Sequence, residues 1–464
     1  MDALQHCFPT NLRQYLNELP ETLDETYEQI LKRINKAQKD NAHRLLQCLT
    51  VAVRPLLVEE LAELLASDFT ASSKGLPTLK DDWRWDDEEE AVLSTCSSLI
   101  AIIPRGKFRI VQFSHFSVKE FLTSSRLAQS PHGELSRFHI DLEPAHTIMA
   151  QACLATLLRL DEHADKSGAN GFPLVKYAAR HWVDHAQIDK VSSRVWDGMD
   201  DLFDSSKPHF AAWLRVYDID ESWPSFSPSW EGFGSPLYYA AFCGFYDLAE
   251  RLIMKHPEQI NARGGRIVTP LAAALYKGHL CVANLLHKHG AVVDVQGVVK
   301  FTPLHGACQD GKVDIMRWLL NHGADINARS QTLLTPLLWA ALLMRLEAVQ
   351  ILLEHNADIN SQFSDGRTPL YGPLTGGHES KAVLVIRRLL EHGADPNICK
   401  HNLSTPLHEA SSLGLLQVAR LLLSYGAKVD EKNDMGMTPL QLAASKGHEK
   451  ITKLLLEHGA VAQP

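Results

Sequence analysis

A Ser/Thr-Pro-Leu tripeptide recurs from Ser235 onward, with its proline at positions 236, 270, 303, 336, 369, 406 and 439. The intervals are 34, 33, 33, 33, 37 and 33 residues, and a fixed period of that length constrains the fold more than any other feature of the chain. Each unit reads as the same pair of helices. The residue before the proline, a threonine in most units, caps a helix whose first position suits proline, because the N–H lost there has no intrahelical partner. Eight residues after the proline stands a glycine (Gly244, Gly278, Gly311, Gly377, Gly414, Gly447), which stops the first helix in a left-handed conformation; the Pro336 unit has Met344 instead. A second helix carries paired leucines such as Leu319-Leu320 and Leu352-Leu353, and it stops at Gly290, Gly323, Gly393, Gly426 or Gly459, with Asn356 in the Pro336 unit. A hairpin this small cannot bury its apolar faces alone, so the units must stack.

The segments "TPLHGACQDGKVDIMRWLLNHGADIN", Thr302 to Asn327, and "TPLQLAASKGHEKITKLLLEHGA", Thr438 to Ala460, resemble the ankyrin consensus. The resemblance implies a solenoid of about seven repeats, at 234–265, 266–299, 300–332, 333–365, 366–402, 403–435 and 436–464. The fifth departs from the pattern: Pro373 falls inside its first helix, which should kink or start late, and four extra residues between His378 and Leu389 are expected to form a surface bulge. "GACQDGKV", Gly306 to Val313, has the spacing of a phosphate-binding loop, but Val313 stands where a magnesium-binding hydroxyl is needed and no strand precedes it. Gly311 is read as a helix stop and Lys312 as a solvated turn residue. The repeated histidines, His305 and His408 after Pro-Leu and His289, His322, His355, His392 and His458 at the second-helix ends, are read as structural.

Upstream, "LPETLDETYEQILKRI" has helical spacing in Leu23, Tyr27, Ile30, Leu31 and Ile34. Helices at "AHRLLQCLTVAV", "LVEELAELLA" and "EEEAVLSTCSSL" are followed by apolar strands "LIAIIP" and "FRIVQFSH", and three helices with a hairpin suggest a winged helix. With "FSHFSVKEFL" and "YAARHWVDHA", these segments resemble fungal proteins that join a NACHT nucleotide-binding module, a winged helix and an ankyrin array, a family of signal-transducing ATPases with numerous domains (STAND) similar in plan to immune receptors (NLR-like). The resemblance implies a helical remnant of a NACHT-like module at 1–40, a winged-helix domain at 41–125, a helical region at 126–221 with tryptophans in its core, a linker at 222–233 and repeats at 234–464. The fold class is mainly α. No GxxxxGK[ST] loop is present.

A net charge of -9 argues against a generally nucleic-acid-binding surface, and the acidic run "DDWRWDDEEE" before the candidate recognition helix argues against groove entry. The eight cysteines form no CxxC pair, so neither a zinc site nor a disulfide framework is expected. No catalytic motif, cofactor site or metal site is read, the chain is expected not to be an enzyme, and no window is apolar enough for a membrane span. The expected compartment is the cytosol, with a nuclear share left open. The expected partner is a protein or peptide on the concave face, met by Tyr276, Val298, Val299, Phe301, Gln309, Asp310, Gln331, Leu334, Leu342, Leu343, Arg367, His401, Leu413, Met435 and Met437. These are the turn residues before each Thr-Pro and the pair before each first-helix stop. Leu334, Leu342 and Leu343 have an alternative reading as cover for a gap at Met344. The alternative function is the regulatory, ligand-sensing half of a NACHT-type ATPase whose nucleotide-binding module lies outside this chain.

Overall fold

The chain divides into two units, 1–236 and 237–464. The computed structural model describes residues 22–70, 75–80, 83–131, 133–161, 172–220, 233–297, 300–376 and 378–461. The segment 222–232 of the expected linker therefore lies outside the described residues, as do Val298, Val299 and Gly377.

In the first unit, α1 (Leu23–Arg33) is capped by Thr22 and buries Tyr27 and Leu31, while Leu23, expected on the same stripe, is 58% exposed. Next come α2 (Lys39–Val51), β1 (Leu56–Leu57), α3 (Val58–Leu65), a ribbon of β2 (Ser67–Asp68) with β3 (Thr78–Leu79), α4 (Glu88–Cys96), β4 (Ile100–Arg105) and β5 (Phe108–Phe113). The order β1-β5-β4, antiparallel throughout, makes the three-stranded sheet of a winged helix. The two-residue β1 is too short to leave a periodic signal and is specified by its pairing, Leu56 with Val111 and Leu57 with Ile110. After α5 (Phe116–Leu122) and the short α6 (Ser125–Ala128) and α7 (Gly133–Ser136), the helical region runs through α8 (Leu142–Leu157), α9 (Val175–Ala186), α10 (Val191–Arg194), α11 (Trp196–Leu202) and α12 (His209–Val216). Its core is aromatic as expected: Trp182 and Trp213 are buried edge-to-face at 5.4 Å, and the Trp213 indole N–H donates to the Ala179 carbonyl at 2.9 Å.

Buried polar groups join these helices to the winged helix. The Val53 N–H donates to the Tyr177 hydroxyl at 3.1 Å, that hydroxyl meets His185 Nε2 at 2.9 Å, and His185 Nδ1 meets His146 Nδ1 at 2.9 Å. Glu60 and Glu63, three apart on α3, face the same junction. Glu60 takes a two-pronged ion pair from Arg54, and Glu63 accepts the Leu174 N–H at 2.7 Å. Burial pulls His185 down to about 3, so this site holds a neutral imidazole.

The second unit is a row of helical hairpins, with first helices at Pro236–Cys243, Pro270–Lys277, Pro303–Asp310, Pro336–Leu342, Pro406–Leu413 and Pro439–Ser445. Their partners are Tyr246–Lys255, Leu280–Lys288, Val313–Asn321, Leu346–Glu354, Leu416–Ser424 and Glu449–Glu457. The described stop glycines are left-handed, as is Asn356 at φ +63° and, without glycine's freedom, Met344 at +53°. In the Pro369 hairpin Pro373 converts the first helix to a 3-10 helix, Pro369–Thr375, because proline removes an α-helical N–H. The four extra residues do not bulge. They lengthen the second helix to Glu379–Glu391, 13 residues against nine in its neighbours, and four residues are close enough to one turn that Ala382, Val385, Ile386, Leu389 and Leu390 still share a buried face. Gly372 belongs to this joint: a Cβ there would lie 2.7 Å from Leu342 N.

Side chains stitch each hairpin to the next. Asn261, Asp294, Asn327, Asn360, Asn397 and Asp430 accept the backbone N–H of Val292, Asp325, Asp358, Asp395, Lys428 and Val461, at 2.8–3.1 Å. The amide groups of Asn261 and Asn397 also donate to the carbonyls of Gly290 and Gly426, both at 3.1 Å. Asp294 has no N–H to give at that place, its Oδ1 is buried without a partner, and burial raises its pKa.

Two substitutions follow. Asp294→Asn should stabilise the chain by about 1 kcal/mol, by supplying the missing donor. Asn356→Gly should add about 0.5–1 kcal/mol by relieving a left-handed side-chain cost. Denaturant melts of each variant measure both gains, and a loss in either would contradict the corresponding assignment.

Candidate functional site

Two further rows of contacts run along the hairpins. In the first, His305 Nε2 meets the Leu334 carbonyl at 3.0 Å and His408 Nε2 meets that of Met437 at 3.1 Å. A carbonyl only accepts, so Nε2 carries the proton. Nδ1 is then the acceptor for the backbone N–H of Thr302 (3.3 Å) and Thr405 (3.1 Å). Burial holds both imidazoles below the usual histidine range, although Asp325 near His305 and Glu409 and Glu431 near His408 act in the opposite direction. In the second row, the residue after the stop position in three hairpins, those of Pro303, Pro336 and Pro439, reaches back to the first helix of the preceding hairpin. Lys312 Nζ donates to the Tyr276 carbonyl, Arg345 Nε to that of Gln309 at 3.1 Å, and His448 Nε2 meets that of Ser412 at 3.2 Å. These carbonyls are among those a helix leaves unpaired at its end, so each of these three hairpins caps the one before it. The stop glycine makes room: a Cβ at Gly414 would strike the His448 ring at 2.7 Å. Lys312 is thus not a free turn residue. It also pairs with Asp310 at 3.1 Å and lies over the Tyr276 ring at 4.6 Å.

The expected interface residues divide into two groups. Phe301, expected to meet the partner, is half-buried: its ring stacks on His305 at 4.9 Å and meets Trp339 edge-on at 5.4 Å. Leu334 and Leu342 are half-buried as well, Leu334 as the acceptor for His305 and Leu342 beneath Gly372. Tyr276, Arg367 and Met437 are half-buried, and Arg367 is paired with Asp365 at 2.6 Å. Gln309, Asp310, Gln331, Leu343, His401, Leu413 and Met435 are exposed, Met435 by 76%.

The position three before each proline is not among the expected interface residues. There Lys300, Leu333 and Leu403 are left-handed, at φ +58°, +66° and +57°, where the Pro369 and Pro439 hairpins have Gly366 and Gly436. Leu333 and Leu403 are 41% and 51% exposed. Glycine in two units marks a backbone that is costly for leucine, roughly 1–2 kcal/mol, so these side chains are carried at a conformational cost.

In the winged helix, Asp87 caps the N-terminus of α4, whose first turn is Glu88-Glu89-Glu90, and Arg109 of the hairpin forms an ion pair with Glu89. Arg105 and Lys107 remain exposed at the wing tip. Among the described residues no group of three His, Cys, Asp or Glu is arranged to hold a metal ion, and no helix is long and apolar enough to cross a membrane. Burial raises the Cys48 and Cys308 thiols to about 12 and Cys96 to about 11.

The family model for ankyrin repeats matches three times, at 237–330, 271–363 and 378–463. The hairpin array is made of ankyrin repeats. The winged-helix domain of GPI inositol-deacylase matches residues 28–133, which takes in most of α1. A curated relative, azaphilone pigments biosynthesis cluster protein L of Monascus ruber, is 31% identical over 291 residues, 59% of this chain and 60% of the relative. The chain thus spans less than two thirds of that relative's length. Among solved structures, the ankyrin repeat domain of Bcl-3, a member of the IkappaB protein family, matches at 30% identity over 49% of this chain and all of that domain, with a TM-score of 0.44.

Because the folded pKa of His305 and His408 lies below the unfolded value, the unfolded chain binds protons more readily, and stability is lost as pH falls below about 6.5. Gln441 occupies the same place in the Pro439 hairpin and accepts the Thr438 N–H at 3.0 Å without titrating in this range. Replacing both histidines by glutamine should therefore flatten the fall in melting temperature between pH 7 and pH 5. An unchanged slope in thermal melts would mean that these imidazoles do not couple folding to protonation.

Proposed function

We propose that the chain is a non-enzymatic interaction scaffold of seven ankyrin repeats that binds a protein or peptide on the concave face. The observation that carries this reading is the set of exposed apolar side chains at loop tips and first-helix ends: Leu333, Leu343, Leu403, Leu413 and Met435. Apolar side chains recurring at such positions can form the charge-depleted centre that a protein interface buries. The left-handed backbone of Leu333 and Leu403 supports it, since both side chains are kept at a conformational cost. The acidic first turn of α4, with Arg109 already paired, favours a packing role for the winged helix over DNA reading. The cytosol is the proposed compartment.

A second reading, the regulatory half of a NACHT-type signal-transducing ATPase, is favoured by one observation, a winged helix and an array of ankyrin repeats in one chain. In that reading the array senses and the nucleotide-binding module lies outside this chain.

The triple variant Leu333→Glu, Leu413→Glu and Met435→Glu should lose capture of partner protein in a pull-down by at least about tenfold while its melting transition stays near that of the parent. Undiminished capture by the folded variant would move the binding surface elsewhere. Unfolding of the variant would mean that these side chains serve the core.

A further inference from the structure

Although the chain carries a net charge of -9, residues 263–345 hold nine Lys and Arg against four Asp and Glu. Some of these cations form a row along the first-helix ends. Lys277 Nζ lies 4.3 Å from the centre of the Phe242 ring and 6.0 Å from that of Tyr276, and Lys312 approaches the same Tyr276 ring at 4.6 Å. Arg345 continues the row on the next hairpin, beside the exposed Leu343. Asp310 offsets one of the three charges. On the loop side, Lys300 holds its exposed ammonium on a left-handed backbone that glycine would adopt at less cost.

We propose that this surface takes an acidic protein segment bearing apolar side chains, its carboxylates over Lys277, Arg345 and Lys300 and its apolar groups against Tyr276 and Leu343. This deepens the interaction reading above and depends on it. The charge fixes the sign of the partner. The apolar groups select its class, because a phosphate backbone gains little from leucine whereas an acidic peptide uses both. The Phe242 ring beneath the Lys277 ammonium holds that cation in place and leaves its outer face to the ligand.

The test is fluorescence anisotropy of the full chain with a labelled peptide of Glu, Ser and Leu. The comparators are the same peptide with Lys for Glu, a Glu-Ser peptide without Leu, and single-stranded DNA of equal charge. The Glu-Ser-Leu peptide should bind, more weakly as salt rises. The Lys peptide should not bind, and the peptide without Leu should bind less well. Lys277→Glu with Lys300→Glu should reduce affinity about tenfold or more. Lys277→Gln with Lys300→Gln should fall between and serves as the readout if the reversed chain does not fold. Absence of binding by the Glu-Ser-Leu peptide at low salt, equal binding of the Glu and Lys peptides, unchanged affinity in the folded variants, or tighter binding of the DNA would each overturn the proposal. If the acidic peptide fails while the Leu333, Leu413 and Met435 variant still loses capture, this inference falls and the scaffold reading stands.

Discussion

The second unit depends on hydrogen bonds that cross from one hairpin to the next. An Asn or Asp side chain at the end of each hairpin takes a backbone N–H some 31 to 35 residues onward, from Asn261 with Val292 to Asp430 with Val461. A helix pair of this size has unpaired backbone groups at its ends and an apolar face on each side, and a neighbour satisfies both. Lys312, Arg345 and His448 complete the preceding first helix, and His305 and His408 fix the next loop. Stability in such an array is a sum of nearest-neighbour terms, so a defect at one joint weakens that joint first.

The same stitching explains where the array is free to vary. With loops and helix ends held by side chains that point along the row, the remaining positions carry no packing duty and are open to recognition. Met435, Leu413 and Leu343 occupy such positions, whereas Phe301 is taken up by its stack on His305 and its contact with Trp339. The Pro369 hairpin shows how far the frame stretches. It replaces an α-helix by a 3-10 helix and adds a turn to the second helix, yet Glu379 accepts the Gln417 N–H of the next hairpin at 2.7 Å. The insertion kept its register because its length is close to one helical turn.

Much of this was legible in the sequence, for local reasons. Threonine caps, proline at the first helical position and left-handed glycines are each set by the conformation of one or two residues, so the period disclosed the hairpins and the substitutions at Met344 and Asn356. The winged helix could be read from its helices and long strands, but not from β1 or the β2–β3 ribbon, whose two-residue strands exist through pairing. What stayed hidden was long-range. The Asn and Asp row was visible only as a periodic polar residue, and the duty of Lys312 depended on a carbonyl 36 residues away. The expected interface positions lie on either side of the loop apex, so they include Leu334 but not Leu333, the exposed side chain. Glycine at Gly366 and Gly436 marks that apex, and a position that is glycine in some units and leucine in others is where a binding surface should be sought first.

Recognition is proposed to take place on the loop tips and first-helix ends of the array. Hydrogen exchange of the full chain, free and with the protein it captures, tests this directly. Recognition there should slow exchange at 300–303, 330–336, 400–406 and 433–439 and at the first-helix ends near 309–313 and 342–346, with the second helices unchanged. Protection confined to the second helices, or to residues 22–220, would contradict it.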